Sequence, residues 1–270
     1  MCNTRTMLLT VTHFGYSPLK GARHQAQEYA DITPSGIATN RRWALTQPSN
    51  KTVLRTVAHP QLMAVTTRLT QDGPTTYLTL SIPGHGNHTV PTLEATPTSN
   101  YTSWGAPKEL APYDHDVNEA LSTYLGTPVQ LAYAPETSLI YSGALSLIGT
   151  ATLEDITHRA QAQGQPVTTD QAARFRCNLI VETDTPYIEE SWQGRTVTLH
   201  PGQDTPERLT GLTLTLGKGI GRCVVIDAHP ATGQRDTKLL KLLSTYRPRN
   251  HRGEPIAGIY AEPLTSSTRP

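Results

Sequence analysis

Three thiols and a scatter of lone cations are the residues of this chain best suited to chemistry. Cys2, Cys177 and Cys223 lie far apart with no CxxC spacing, so they spell neither a disulfide framework nor a zinc or iron–sulfur site. Cys223 stands out because Arg222 precedes it. An adjacent guanidinium favours the thiolate, the form that attacks or ligates a metal. The competing reading of Cys223 is a small buried hydrophobe on a strand. Lys20 in SPLKG, Arg41 and Arg42 in TNRRW, Arg176 in RFRCN and Arg222 in GRC fall at expected strand ends and turns. Singly each reads as a surface charge or an ion pair. Together they are able to form a phosphate pocket, because a planar Arg fork binds two oxygens at once.

Other patterns carry less. Gly217, Gly219 and Gly221 follow a strand, yet RCVVID is β-branched and reads as a further strand, not as the helix that a dinucleotide fingerprint must open. The glycines are therefore expected to make a tight turn. His85 and His88 have a metal-like interval but sit in a Gly-Pro loop without a carboxylate or thiol at ligand spacing, which predicts a solvated loop. The remaining Ser, His and Asp residues are too scattered to propose a triad.

The elements that must position these groups are mostly strands. The chain is rich in Thr, Pro and Gly, with 2 Phe in 270 residues, a mix that favours strands and turns over long helices. MLLTVT, ARHQAQEYADIT, RWALT, LMAVTTRLT with YLTLSIP, VQLAYA, LSLIG, FRCNLIVET, RTVTLH, LTLTL, RCVVIDAH and AGIYAEPL read as strands, and residues 83 to 113 as loops. Helical spacing appears over 116–125, stopped by Gly126, from Thr152 to about Ala162, and from Lys238 to Tyr246. The expected architecture is mainly β, mixed α/β, with a boundary in the 112–130 region that divides 1–115 from 116–270. Lys and Arg total 23 against 22 Asp and Glu, so no global field draws nucleic acid or an anionic membrane. The short apolar stretch near the N-terminus is too weak for a signal peptide and too short to span a bilayer. These features predict a cytoplasmic protein with neither membrane nor nucleic-acid partners.

SPLKGARHQAQEYADITPSGIATNRRWAL, LIYSGALSLIGTATLEDI, RFRCNLIVET, YIEESW, GRCVVIDAHPATG, LLSTYR and AGIYAE stand in an order that resembles MOSC-domain proteins with their N-terminal β-barrel partner. That group includes the mitochondrial amidoxime-reducing components and bacterial relatives. The resemblance runs from about Phe14 to Glu262 and implies a MOSC N-terminal β-barrel-like domain followed by a MOSC β-barrel with a few helices. It also implies a pterin dithiolene molybdenum cofactor, held by Lys20, Arg41, Ser142, Arg176, Asn178, Arg222 and Tyr260, with Cys223 as the molybdenum ligand. Trp43, Glu189 and Trp192 would pack around the site. Where the family has Gly-Asp before the basic pair this chain has Thr39-Asn40, and Cys177 replaces the usual Pro. His229-Pro230 replaces Asp-Pro, which would make His229 a catalytic group titrating near neutrality. The implied activity is two-electron reduction of a small N-hydroxylated or N-oxide substrate, with electrons from a separate donor protein, because no ferredoxin-like Cys cluster follows. A sulfur carrier with a persulfide on Cys223, and a binding module that keeps only the fold, are the alternatives.

Overall fold

The computed structural model describes residues 7–27, 31–92, 98–134, 139–167, 171–203 and 205–264, so Cys2 lies outside the described residues. In chain order the first strands are β1 (Met7–Tyr16), β2 (Gln25–Ala26), β3 (Ile32–Thr33), β4 (Gly36–Ile37), β5 (Trp43–Gln47) and β6 (Thr52–Val53). Next come β7 (Thr66–Asp72), β8 (Thr75–Ile82), β9 (Gly86–Pro91), β10 (Ser99–Ser103), β11 (Ala106–Pro112) and β12 (Gln130–Tyr133). The last are β13 (Leu145–Gly149), β14 (Leu179–Val181), β15 (Thr196–Pro201), β16 (Thr213–Gly221) and β17 (Ile256–Pro263). Helices α1 (Val117–Leu125), α2 (Thr150–Ala162), α3 (Gln171–Phe175) and α4 (Leu239–Tyr246) complete the mainly β, mixed α/β architecture expected from the sequence.

Two closed barrels organise the chain. In the first, β10, β11, β12, β5 and β6 follow one another, and the parallel pairing of Thr52 with Thr102 closes the ring. The separate sheet of β7, β8 and β9 and the helix α1 pack on it through Leu78, Leu80, Val90, Leu121 and Leu125. In the second, β14, β13, β17, β16, β15 and β1 form the ring, and antiparallel pairing of β1 with β14 closes it. Its interior is filled by alternate residues: Leu9 and Val11 of β1, Val197 and Leu199 of β15, Leu214 and Leu216 of β16, and Ile259 and Ala261 of β17. Period-two burial is what a strand with one face on a core requires. A second apolar layer, including Ile156, Phe175, Cys177, Ile226 and Leu243, seats α2, α3 and α4 on the outside. The barrels interleave in sequence. Strand β1 closes the second, whereas α1 and β12, which lie beyond residue 116, belong with the first.

The strand expected over ARHQAQEYADIT is reduced to the short β2 and β3, with residues 28–30 outside the described residues. Three further local expectations give way to the structure. The stretch 83–113, expected as loops, instead holds β9, β10 and β11, with residues 93–97 outside the described residues. Most of the Thr and Asn of these strands stay at least partly exposed while Val90, Tyr101, Ser103 and Leu110 are buried, so a one-sided surface sheet looks like loop composition. Gly217, Gly219 and Gly221 are not a turn but the end of β16, where the register against β17 shifts twice. A Cβ at Gly219 would stand 2.6 Å from Ile256 of the partner strand, and one at Gly221 2.3 Å from the Glu254 carboxylate, so close approach accounts for these two glycines. The third is RCVVIDAH: Val224–Asp227 is a 3-10 helix with the Ile226 N–H bonded to the Cys223 carbonyl at 3.2 Å. The Asp227 carboxylate accepts the Leu240 N–H at 2.8 Å at the start of α4, which fixes the turn against that helix.

Candidate functional site

The cations gather because short loops from both barrels face one another. The loop 17–21 lies along 40–43: the Lys20 N–H donates to the Trp43 carbonyl at 2.7 Å, and the Arg41 N–H to the Ser17 carbonyl at 2.9 Å. Gly21 at φ 92° turns the chain where a Cβ would meet Thr56 at 2.7 Å and Leu62 at 2.9 Å. Lys20 is thereby buried, its ammonium donating to the Leu54 carbonyl at 3.2 Å and lying 4.4 Å from the Trp104 ring centroid. Arg42, the other half of the basic pair, turns away and donates to the Ala134 carbonyl at 2.8 Å.

From the second barrel, Arg176 follows directly on α3 with φ 54°, a left-handed position at a helix end that usually takes Gly or Asn. One of its terminal nitrogens donates to the Ala22 carbonyl at 2.8 Å, whereas Nη1 is buried and has no partner among the described residues. Asn178 lines the same cleft but its amide is occupied: Oδ1 accepts from Ser146 Oγ at 3.0 Å and Nδ2 donates to the Gly15 carbonyl at 3.1 Å. Arg222 is likewise turned inward over Gly258, donating to the Ala257 carbonyl at 2.7 Å, the Phe175 carbonyl at 2.8 Å and Cys177 Sγ at 3.1 Å. Its work is to anchor the bend that presents Cys223, which is exposed and lines the cleft. Cys177, by contrast, is fully buried in the outer apolar layer.

Ser142 and Tyr260 complete the wall. The Gly143 N–H bonds to the Tyr141 carbonyl at 3.0 Å across Ser142 at φ 69°, a γ-turn of the rare positive-φ kind. Gly143 is required there, because a Cβ would stand 2.7 Å from the Tyr260 ring. Ser142 is hydrogen-bonded to Tyr260, while burial pushes the phenol's pKa up. The structure does not bring His229 to the cleft. Its Nδ1 accepts the Ala231 N–H at 3.1 Å and its backbone N–H bonds to the Gln234 carbonyl, so the ring serves its own loop. Among the lining residues that the sequence reading did not single out are Arg55, Trp104, Tyr141, Arg174, Arg252 and Glu254.

The result is a cleft of about 440 Å³ between the barrels, lined by seven cationic side chains and one carboxylate, Glu254, which Asn250 holds at 2.7 Å. Arg174 is neutralised by Asp236 at 2.8 Å and Arg222 is spent on carbonyls. Lys20, Arg41 and Arg176 therefore form a floor without a counter-ion among the described residues. Burial, followed by Arg41, Arg55 and Arg176, holds the Lys20 ammonium down at about 7. Burial and then Arg41 bring the Arg176 guanidinium down to about 9, with Cys223 pulling the other way, and burial lowers Arg41 as well. Thus the cation that senses Cys223 is Arg176 across the cleft, not only its chain neighbour. Beneath them His24 is held well below its usual range, by burial first and then by Arg176, His13 and Arg41.

Backbone strain concentrates in the same place. Six described non-glycine residues have positive φ, and four of them, Arg41, Trp104, Ser142 and Arg176, line or flank this cleft. Left-handed backbone costs an ordinary residue about 1–2 kcal/mol, and it clusters where surrounding structure holds a functional geometry. Buried, uncompensated cations with an orphaned donor are costly by themselves, so the floor fits an oxyanion such as a phosphate ester. The exposed thiol fits a soft metal beside it.

Comparison with known proteins bears on the first barrel. Residues 8–128 match the family model described as the MOSC N-terminal beta barrel domain. No curated protein matches the chain. Among solved structures, a solution structure of a Bordetella bronchiseptica protein is similar at 18% identity, covering 42% of this chain and 92% of that one with a TM-score of 0.31.

Proposed function

Because this chain carries a MOSC N-terminal beta barrel domain, a domain associated with molybdenum-cofactor-binding proteins, we propose that its cleft holds a pterin-type molybdenum cofactor. On this reading the protein is an oxidoreductase that reduces small N-hydroxylated or N-oxide compounds. When bound, the cofactor would supply a metal centre that exchanges electrons in pairs, with a separate donor protein delivering them.

The chain's own residues supply the seat. Lys20, Arg41 and Arg176 would take the terminal phosphate, the orphaned Nη1 of Arg176 finding in it the acceptor it lacks. Cys223 would offer its thiolate to the metal, held in place by the inward anchor of Arg222. Asn178 ties β14 to β13 and β1, and the Ser142–Gly143 turn holds the Tyr260 ring, so the wall is set before a ligand arrives. The His229 ring, turned into its own loop, has no part in this seat. The observation that carries this reading is the cationic floor of buried Lys20 and half-buried Arg41 and Arg176, with the buried Nη1 of Arg176 unpaired among the described residues.

A second reading, favoured by the open position of Cys223, is a sulfur carrier with a persulfide on that thiol. Molybdenum and pterin content with intact mass separates the two. Stoichiometric metal and pterin, with metal lost and the melt unchanged in Cys223→Ala, supports the reductase. Metal-free protein heavier by a single sulfur supports the carrier. Normal molybdenum in Cys223→Ala removes that thiol from the metal.

A further inference from the structure

Resting on the reading of the cleft floor as a cofactor seat, we propose that Trp104 and Tyr141 form an aromatic subsite at the mouth for the substrate, which is a planar ring bearing an acidic group that Arg252 pairs with. The floor and mouth differ in depth: Lys20 is 7% exposed, whereas Trp104 is 49% exposed. Trp104 comes from the first barrel, at the tip between β10 and β11, and Tyr141 from the segment entering β13. Their rings meet at 5.3 Å between centroids with an interplanar angle of 50°.

The backbone position of Trp104 is expensive. It stands at φ 49° next to Gly105 at φ 80°, the backbone of a two-residue hairpin turn that normally takes Asn-Gly or Asp-Gly. A bulky residue at positive φ is an outlier, and a half-exposed indole buries little. The Lys20 ammonium and Tyr141 cover part of the ring and the rest stays open to the cleft. An open indole face is a platform on which a planar ring gains stacking area.

The charge comes from Arg252, whose guanidinium carbon lies 5.5 Å from the Tyr141 ring centroid, and from Arg55. Both are exposed, line the cleft, and have no side-chain hydrogen bond or ion pair among the described residues. A planar anion would stack on Trp104 and Tyr141 while its acidic group reached the Arg252 fork.

The test uses the purified full chain and three probes: benzoate, neutral benzamide, and the non-planar anion cyclohexanecarboxylate. Trp43 and Trp192 are 1% and 7% exposed, so tryptophan emission reports binding at Trp104, and calorimetry gives affinities for variants. Benzoate is expected to bind roughly tenfold tighter than either comparison probe, in keeping with the strength of aromatic contacts. Trp104→Gly, which suits the positive φ, should lose that advantage over cyclohexanecarboxylate, and Trp104→Phe should keep most of it. Arg252→Gln should weaken both anions and leave benzamide unchanged. Equal binding of benzoate and cyclohexanecarboxylate by the native chain would overturn the proposal. So would a Trp104→Gly protein that copurifies with less molybdenum and pterin than the native chain, since the indole would then belong to the cofactor seat. If the native chain holds no cofactor at all but still prefers benzoate, the subsite stands and only the reading of the floor fails.

Discussion

Replacing Lys20 by Met tests whether the cleft floor stores free energy for an anion. Met keeps most of the volume and a soft contact with Trp104 while removing the charge. Lys20 is 7% exposed and its pKa falls from 10.5 to about 7, which corresponds to roughly 5 kcal/mol of disfavoured charge as an upper bound. The folded pKa lies below the unfolded one, so folding releases a proton between about pH 7 and pH 10.5. The native chain should therefore gain stability as pH rises through that window, with the full penalty present below pH 7. In cofactor-free protein, Lys20→Met should raise Tm by several degrees at pH 6, and the difference should shrink to nothing near pH 10.5. Loss of the 3.2 Å bond to the Leu54 carbonyl subtracts about 1 kcal/mol. Inorganic phosphate should stabilise the native chain at pH 6 far more than the variant. Thermal melts from pH 6 to 10.5, with and without phosphate, provide the assay. A variant less stable than the native chain at pH 6, or difference curves flat with pH, would refute the reasoning.

Other perturbations probe neighbouring parts. Arg176→Gly relieves a left-handed backbone and removes a buried charge, so cofactor-free protein should gain at least about 1 kcal/mol in denaturant melts while the phosphate-dependent rise in Tm falls. Asp236→Asn leaves the fully buried Arg174 without its ion pair and should cost about 3 kcal/mol by urea unfolding; a neutral result would mean that Arg174 finds its counter-charge elsewhere.

Strands rich in apolar residues were legible in sequence for two reasons: β15 and the first half of β1 alternate with a period of two, and β5, β12, β13 and β17 are short, nearly continuous buried runs. Strands β9 to β11 were not, because a sheet with one face in solvent can be built from Thr, Asn and Gly, the residues that also make loops. At the site, Lys20, Arg41, Arg176, Asn178, Arg222, Cys223 and Tyr260 were all named from sequence and all line the cleft. Their division of labour was hidden. The inward turn of Arg222 depends on carbonyls of Phe175 and Ala257, far away in the chain, and nothing local to GRC signals it. His229 was misplaced for the same reason: a residue's chain distance from Cys223 does not say which way its ring turns. Trp104 left one local sign, a Trp-Gly pair at a hairpin tip, whereas Arg55 and Arg252 were indistinguishable from ordinary surface charges.

The crossing of β1 into the second barrel sets an order of events during synthesis. Its Val11 pairs with Val181 and its Leu9 with Leu199, so the leading strand leaves the ribosome long before either partner exists. The five strands of the first barrel are all available once Tyr133 has emerged. The second ring needs β1 at one end of the chain and β17 at the other. Non-local closure of this kind is slow, and through the interval an apolar strand edge stays open to wrong partners. The cleft, which takes residues from both rings, is then the last surface to form. Ligand capture on this chain accordingly reports that both rings have closed.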